Sequence, residues 1–201
     1  MSHENTAAVQ PKAKMELDPR FTAKLTLTLL GICAVVALLL GIVNQVTAPI
    51  IAEIQAEKTA AAMSQVLPAE EYQPVETDYP NVTAMNRALS GGETVGYVVE
   101  VTTSGFGGTM SMVVGVDADG AVTGVSVTDH SETANIGTKV VDDQAVLDRF
   151  IGMSHGDGEI TVNAGTNRFD GVSGATVSSR GVTAGVNTAL AAAAEQKGGQ
   201  A

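Results

Sequence analysis

Residues 25–43 form a run of 19 consecutive positions without a charged side chain. An α-helix of that length rises about 28 Å, close to the thickness of the hydrocarbon core of a bilayer. The pattern predicts a membrane-spanning helix over 25–46, preceded by an N-terminal segment, 1–24. The run is longer than the apolar core of a cleaved signal peptide, which favours an uncleaved anchor, with cleavage near Ala48 as the alternative.

The residues after this run are typical of an exposed helix that ends at a proline. Residues 50–66 are rich in Ala, Glu, Gln, Lys and Met, and Pro68 predicts the end of the helix. We interpret 47–68 as a helical stalk. Three prolines and a Ser-Gly-Gly turn then indicate a loop-rich stretch over 68–92, with a short helix predicted at 82–89.

A block dense in Val and Thr follows, as half-buried strands require. It predicts strands at 94–102, 109–116 and 121–128. Gly120 ends a hairpin turn that favours a positive φ.

Two further helices complete the prediction. Residues 142–151 are amphipathic, with Asp142 and Asp143 capping the first turn, and residues 178–195 form a closing helix with a serine available as N-cap. The predicted fold class is α+β. It is a single domain over 69–201 with a small antiparallel or mixed sheet and flanking helices, on one N-terminal transmembrane helix.

The charge distribution predicts the membrane orientation. The chain has 22 acidic and 11 basic residues, with no basic stripe, which argues against nucleic acid as a partner. The net charge is +1 before the apolar run and −12 over 48–201. Because Lys and Arg gather on the cytoplasmic side of a first span, the N-terminus is expected inside and the domain on the outer face of the cell membrane.

The segment 170–179, DGVSGATVSS, carries the candidate chemistry. Small residues before a helix let a ligand approach the backbone, and the helix N-terminus favours a phosphate. The alternative is an ordinary turn. A hydrolase nucleophile at Ser173 is disfavoured because every histidine precedes it. The single cysteine excludes an internal disulfide, and His130 with Glu132 supplies too few ligands for a metal site.

The pattern Asp170-x-x-Ser173-Gly174-Ala175-Thr176 resembles the flavinylation motif of the FMN-binding domain family. In that family an extracytoplasmic flavin transferase takes FMN from FAD and joins its phosphate to the last threonine of the motif. The resemblance implies covalent FMN on Thr176, with Ser173, Gly174 and Ala175 on the small positions and Asp170 as the leading acid.

Two upstream segments are similar to the same family in the same order. Residues 104–108, SGFGG, resemble its glycine–aromatic–glycine–glycine loop. Residues 130–137, HSETANIG, resemble its His-x-Glu-Thr-Pro-Gly-Leu-Gly segment, with Ala134 and Asn135 in place of proline and glycine.

Anchor, segment order and size are most similar to the members of this family in Rnf complexes, the G subunits. Rnf complexes transfer electrons between ferredoxin and NAD and couple that transfer to ion movement. The resemblance implies a redox subunit without stand-alone turnover, whose partners are the other Rnf-type subunits and a flavin transferase. It also implies that Glu132 and Thr133 line the flavin ring or the phosphate. The alternatives are an FMN-bearing subunit of a quinone reductase or of an extracellular electron-transfer chain, and a non-redox membrane-anchored binding module.

Overall fold

The computed structural model describes residues 18–198, so residues 1–17 of the predicted cytoplasmic segment lie outside the described residues. The chain divides into two compact units, one ending at Ile51 and the other beginning at Ala52. The stalk boundaries at 47–68 and the domain start at residue 69 stay predictions.

The first helix, α1 (Pro19–Val66), is long and apolar. Its most apolar 18-residue window has a mean hydropathy of 2.7, and none of that window is buried. Large apolar side chains from Leu25 to Ile54 are 46–70% exposed. A helix that is apolar on every side has no face suited to water, so its length and composition fit a membrane span. The prediction of one long apolar N-terminal helix is confirmed.

The second unit is built on a five-stranded antiparallel sheet with the order β1-β2-β3-β4-β5. The strands are β1 (Glu71–Val75), β2 (Val82–Ser90), β3 (Glu93–Ser104), β4 (Thr109–Asp117) and β5 (Val122–Asp129). Each strand pairs with its neighbour in the chain. The three strands predicted from Val and Thr are β3, β4 and β5, and Gly120 has the predicted positive φ, +92°.

The short helix predicted at 82–89 is wrong, because these residues form β2. Ala, Met, Arg and Leu favour a helix locally, but β2 pairs with β1 on one side and with β3 on the other. Met85 and Ala88 are buried in two different apolar clusters, and this pairing and packing outweigh local propensity. The loop-rich stretch also contains β1, an edge strand that tolerates Pro74.

The helix α4 (Thr176–Gly198) covers one face of the sheet and confirms the predicted closing helix. Alternate residues of β3 and β4 pack with it in the main core, which includes Val99, Val101, Met112, Val114, Val182, Val186 and Leu190. The helix lies close to the sheet at Gly181, where a Cβ atom would lie 2.6 Å from the Ser104 carbonyl oxygen.

The end of α1 packs on the opposite face of the sheet. Ala62, Val66 and Leu67 form a second apolar cluster with Ala88, Val98 and Val113. Thr123 Oγ1 donates a 2.6 Å hydrogen bond to the carbonyl oxygen of Val66. The last turns of α1 are therefore part of the core of the second unit.

Short elements join the sheet to α4. They are α2 (Thr138–Val141), α3 (Gln144–Leu147), two 3₁₀ turns (Asp148–Phe150 and His155–Asp157), and a parallel pair, β6 (Thr161–Val162) with β7 (Arg168–Phe169). The helix predicted at 142–151 corresponds to α3 and the turn after it. Asp143 caps α3 by accepting from the Ala145 N–H, whereas Asp142 lies at the end of α2 and contacts His130 instead.

Candidate functional site

Three segments of the sequence meet at one end of the sheet. The 104–108 loop joins β3 to β4 at this end, and the 130–137 loop leaves β5 there. The start of α4 is fixed at the same end, because Thr103 Oγ1 donates to the Gly181 carbonyl oxygen at 3.0 Å. Antiparallel pairing and the packing of α4 on the sheet thus bring together the three segments that resemble the FMN-binding family.

The side chain of Glu132 connects these three segments. Its Oε1 accepts from the N–H of Gly107 at 3.2 Å, and its Oε2 accepts from the hydroxyl of Ser178 at 2.7 Å. The side chain is partly buried. Both carboxylate oxygens are therefore bonded to protein groups. A contact between Glu132 and the ring or the phosphate stays a prediction.

Thr133 begins a tight turn in the 130–137 loop. Its side chain is exposed, and its carbonyl oxygen accepts from the N–H groups of Ile136 and Gly137. Asn135 takes a φ of +62° and donates its N–H to Thr138 Oγ1 at 2.9 Å. The family pattern has glycine at this position, and asparagine tolerates the same left-handed backbone better than most residues.

The segment 170–179 is held at its beginning by two arginines. Arg149 donates to the carbonyl oxygen of Asp170 at 3.0 Å, and an Arg168 guanidinium nitrogen lies 2.7 Å from Asp170 Oδ1. Gly174 then turns the chain with a φ of +82°, and the side chain of Ala175 is buried directly before the helix. The predicted small residues are thus those that shape the entry into α4.

Four hydroxyl groups lie in this segment, and they differ in accessibility. Ser173 and Thr176 are exposed. Ser178 and Ser179 are 1% and 0% exposed. Ser178 donates to Glu132, and Ser179 Oγ accepts from the N–H of Val172 at 3.2 Å. The expectation of a serine N-cap is wrong, because α4 begins at Thr176 and both serines lie inside its first turn.

The start of α4 has N–H donors without an acceptor in the part of the chain that the structure describes. The hydrogen bond from the Ser179 N–H to the Ala175 carbonyl oxygen closes the first turn, and the N–H groups of 176–178 have no acceptor within residues 18–198. Arg180 follows on the next turn, is exposed, and pairs with no carboxylate in that part of the chain. Free N–H groups, the helix dipole and a guanidinium fit a phosphodiester.

Each of the three segments also presents an exposed apolar side chain. Phe106, Ile136 and Val177 are 70%, 49% and 49% exposed. The motifs include Phe106 as an aromatic position, but none of the three side chains was predicted to contact the flavin ring. Apolar side chains at the end of the domain that holds Thr176 fit the flat faces of a flavin ring.

A groove of about 590 Å³ runs along α4 from this end of the sheet. Half of its lining residues carry a hydroxyl, and the lining consists of Asn81, Thr102, Thr103, Ser104, Thr109, Val177, Arg180, Gly181, Ala184 and Thr188. Val177 and Arg180 line this groove, whereas Thr176, Phe106 and Ile136 do not. The fit to the phosphate and the ring of FMN therefore rests on the start of α4 and on the three exposed apolar side chains.

Comparison with known proteins identifies an FMN-binding domain and the family of the chain. Residues 105–191 match the family model of the FMN-binding domain. The G subunit of the Na⁺-translocating ferredoxin:NAD⁺ oxidoreductase complex of Acetobacterium woodii is 30% identical, over 90% of this chain and 96% of that protein. The G subunit of the ion-translocating oxidoreductase complex of Methanosarcina acetivorans is 32% identical, over 90% of this chain and 99% of that protein.

Among solved structures, the C subunit of the Na⁺-translocating NADH-quinone reductase of Parabacteroides distasonis aligns with a TM-score of 0.49 and 20% identity. The alignment covers 62% of this chain and 75% of that one. The identity and coverage of the two G subunits, with the matched FMN-binding domain, place this chain in the family of G subunits of Rnf-type ion-translocating oxidoreductase complexes.

Proposed function

We propose that this chain is the membrane-anchored flavoprotein subunit of an ion-translocating ferredoxin:NAD oxidoreductase complex, and that it relays electrons through FMN joined by a phosphoester to Thr176. Membership in the G-subunit family supports a role within a multi-subunit ion-translocating oxidoreductase, and the FMN-binding domain supports the cofactor. The long apolar helix supports the membrane anchor.

The observation that carries the threonine linkage is the exposure of Thr176 at the first position of α4. A flavin transferase must reach the hydroxyl that it modifies, and Ser178 and Ser179 are buried and hydrogen-bonded. Ser173 is exposed but lies before the helix, whereas Thr176 is its first residue. A phosphate on Thr176 lies beside the unused N–H groups at the start of α4.

Attachment from FAD is a group transfer without net oxidation. The Thr176 oxygen forms a bond to the phosphorus of the FMN half, the pyrophosphate bond breaks, AMP leaves with the bridging oxygen, and the hydroxyl proton is released. The product is a phosphodiester with one negative charge. The helix N-terminus and Arg180 stabilise that charge.

The bound FMN supplies the electron-transfer chemistry, and the protein supplies position and electrostatics. Phe106, Ile136 and Val177 provide apolar contact area for the ring, and the covalent bond prevents loss of the cofactor. Retention by a covalent bond suits a domain on the outer face of the membrane, which is the side that the charge distribution predicts.

The test of the proposal is the mass of the protein made together with its flavin transferase. We expect an added mass of FMN minus water, mapped to the peptide that contains Thr176, and fluorescence of the denatured protein in a gel. Thr176→Val is expected to lose both while keeping the fold. Thr166→Val, a matched change of an exposed threonine that does not line the groove, is expected to keep both. A colourless native protein, or covalent FMN on the Thr176→Val protein, contradicts the proposal.

A further inference from the structure

The carboxylate of Glu132 occupies a space that the surrounding glycines create. A Cβ atom added to Gly105 would overlap Glu132 Oε1, and one added to Gly137 would overlap Oε2. Gly107 is restricted similarly, because its Cβ would overlap the Ser131 carbonyl oxygen. The glycines of both loops thus allow Glu132 to lie between them, in direct contact with their backbones.

Glu132 is also held through its backbone. Its N–H donates to His130 Nδ1 at 3.3 Å, and His130 Nε2 lies 2.9 Å from Asp142 Oδ1. With Nδ1 as the acceptor, the proton of the neutral ring is on Nε2, directed at Asp142. The backbone at Glu132 is therefore connected to the end of α2 as well as to the two loops.

The bond from Ser178 couples this arrangement to the orientation of Thr176. Positions two apart on an α-helix differ by about 200° around its axis, so they face nearly opposite sides. Ser178 faces inward, 1% exposed, while Thr176 faces solvent. Fixing the Ser178 hydroxyl to Glu132 therefore fixes the rotation of the first turn, and with it the direction in which Thr176 presents its hydroxyl.

We propose that Glu132 is a positioning residue for the attachment site, acting through its hydrogen bonds to Ser178 and Gly107 and not by contact with the cofactor. This inference rests on the proposed attachment at Thr176. It adds Ser178 as the residue through which Glu132 acts. It also gives the glycines of both loops a role, because their lack of a side chain leaves space for the carboxylate.

The two possible roles of Glu132 predict different responses to substitution. Glutamine at position 132 keeps an oxygen for the Gly107 N–H and an amide that donates to the Ser178 oxygen, but it removes the charge. A positioning role therefore tolerates Glu132→Gln and is lost in Glu132→Ala and in Ser178→Ala. A direct charge contact with the cofactor would be lost in Glu132→Gln and retained in Ser178→Ala.

The experiment measures the initial rate of FMN transfer to the full-length protein in detergent, with FAD and the flavin transferase, from the gain in intact mass. We expect Ser178→Ala and Glu132→Ala to lower the rate roughly tenfold or more, and Glu132→Gln to stay within about threefold of the unsubstituted protein. The flavin that does become attached to Ser178→Ala is expected to show lower fluorescence anisotropy.

Thr183→Val is the matched control for loss of a buried hydroxyl. Thr183 is 4% exposed on the same helix, and its Oγ1 donates to the Ser179 carbonyl oxygen at 2.8 Å, with no connection to the loops. We expect Thr183→Val to keep the rate of FMN transfer, even if its unfolding temperature falls as far as that of Ser178→Ala. Equal loss of rate in both proteins would show a general stability effect and overturn the inference.

The same assay separates the two proposals. A normal rate in Ser178→Ala, with no mass gain in Thr176→Val, overturns the positioning role and leaves the attachment site intact. A mass gain in Thr176→Val overturns the attachment site and, with it, the positioning role. Loss of rate in Glu132→Gln together with a normal rate in Ser178→Ala identifies Glu132 as a direct contact instead.

Discussion

Gly115 of β4 and Gly124 of β5 lie directly opposite each other in the sheet, under the last turn of α1. A Cβ atom on Gly124 would lie 2.9 Å from the Val66 Cα and 3.1 Å from its carbonyl oxygen. Two opposed glycines thus provide the space in which the backbone of α1 contacts the sheet.

Gly124→Ala is expected to displace the end of α1 and lower the free energy of unfolding by about 1–3 kcal/mol, as other overpacked contacts do. Thermal unfolding of the full-length protein in detergent, followed by circular dichroism, measures the change. Gly156→Ala is the control, because its nearest new contact, Ser154 Oγ at 3.5 Å, is ordinary. An unchanged unfolding temperature for Gly124→Ala would show that α1 does not pack here.

The half-buried carboxyl of Glu100 is expected to make the stability of the fold depend on pH. Burial raises the pKa of this half-buried carboxyl above its ordinary 4.5, and no cation pairs with it within residues 18–198. Protonated Glu100 favours the folded state relative to charged Glu100. This stabilisation is fully present below the unfolded-state pKa and is lost as the pH rises through the folded-state pKa. At pH 7 to 8 the charged side chain therefore destabilises the fold.

Glu100→Gln is expected to raise the unfolding temperature at pH 7.5 by roughly 1–2 °C, with the gain shrinking toward pH 4. Unfolding temperatures across that pH range measure it. Glu93→Gln, on an exposed residue at the start of the same strand, is expected to show no such trend. A gain for Glu100→Gln that grows as the pH falls would contradict the raised pKa.

Phe106 and Ile136 are expected to shield the attached flavin. Replacing either with alanine removes apolar contact area without touching Thr176, so attachment should persist while quenching of flavin fluorescence by iodide rises roughly twofold. Ile151→Ala is the control, because Ile151 is 51% exposed outside the three segments. Equal quenching in the three variants and the unsubstituted protein would show that the ring lies elsewhere.

Substitutions of Asn135 test whether the 130–137 loop requires a left-handed backbone conformation at this position. Its φ of +62° suits glycine and asparagine but strains alanine. Asn135→Gly should leave the free energy of unfolding within about 0.5 kcal/mol, whereas Asn135→Ala should lower it by about 1 kcal/mol. Urea unfolding of both proteins measures the difference, and equal stability of the two would contradict the left-handed conformation.

The side of the membrane on which the domain lies is tested by proteolysis. Protease added to cells stripped of their outer layers should remove the domain beyond residue 70, because the basic flank predicts a cytoplasmic N-terminus. A cytoplasmic marker protein should survive until the cells are opened. Survival of the domain in intact cells would place it on the cytoplasmic side.

The sequence by itself determined those helices and strands whose hydrophobic positions recur at a regular spacing. An uninterrupted apolar run predicted the membrane helix within α1, Val- and Thr-rich runs predicted β3 to β5, and the closing helix was predicted at 178–195, two residues after the actual start of α4 at Thr176. Such patterns succeed because the residues on one face of a helix or strand are only a few positions apart in the sequence. The predicted helix at 82–89 failed because β2 owes its conformation to pairing on both edges, which outweighs the preferences of its own residues.

Only the tertiary structure decided which hydroxyl is accessible and what Glu132 contacts. The motif pointed to Thr176, but the sequence did not show that Ser178 is buried, and the hydrogen bond that Ser178 makes is to Glu132, 46 positions away. The contact of Val66 with Gly115 and Gly124 is likewise long-range. These relationships depend on how antiparallel pairing brings distant segments to one end of the sheet, and the local chemistry of a segment does not encode its distant neighbours.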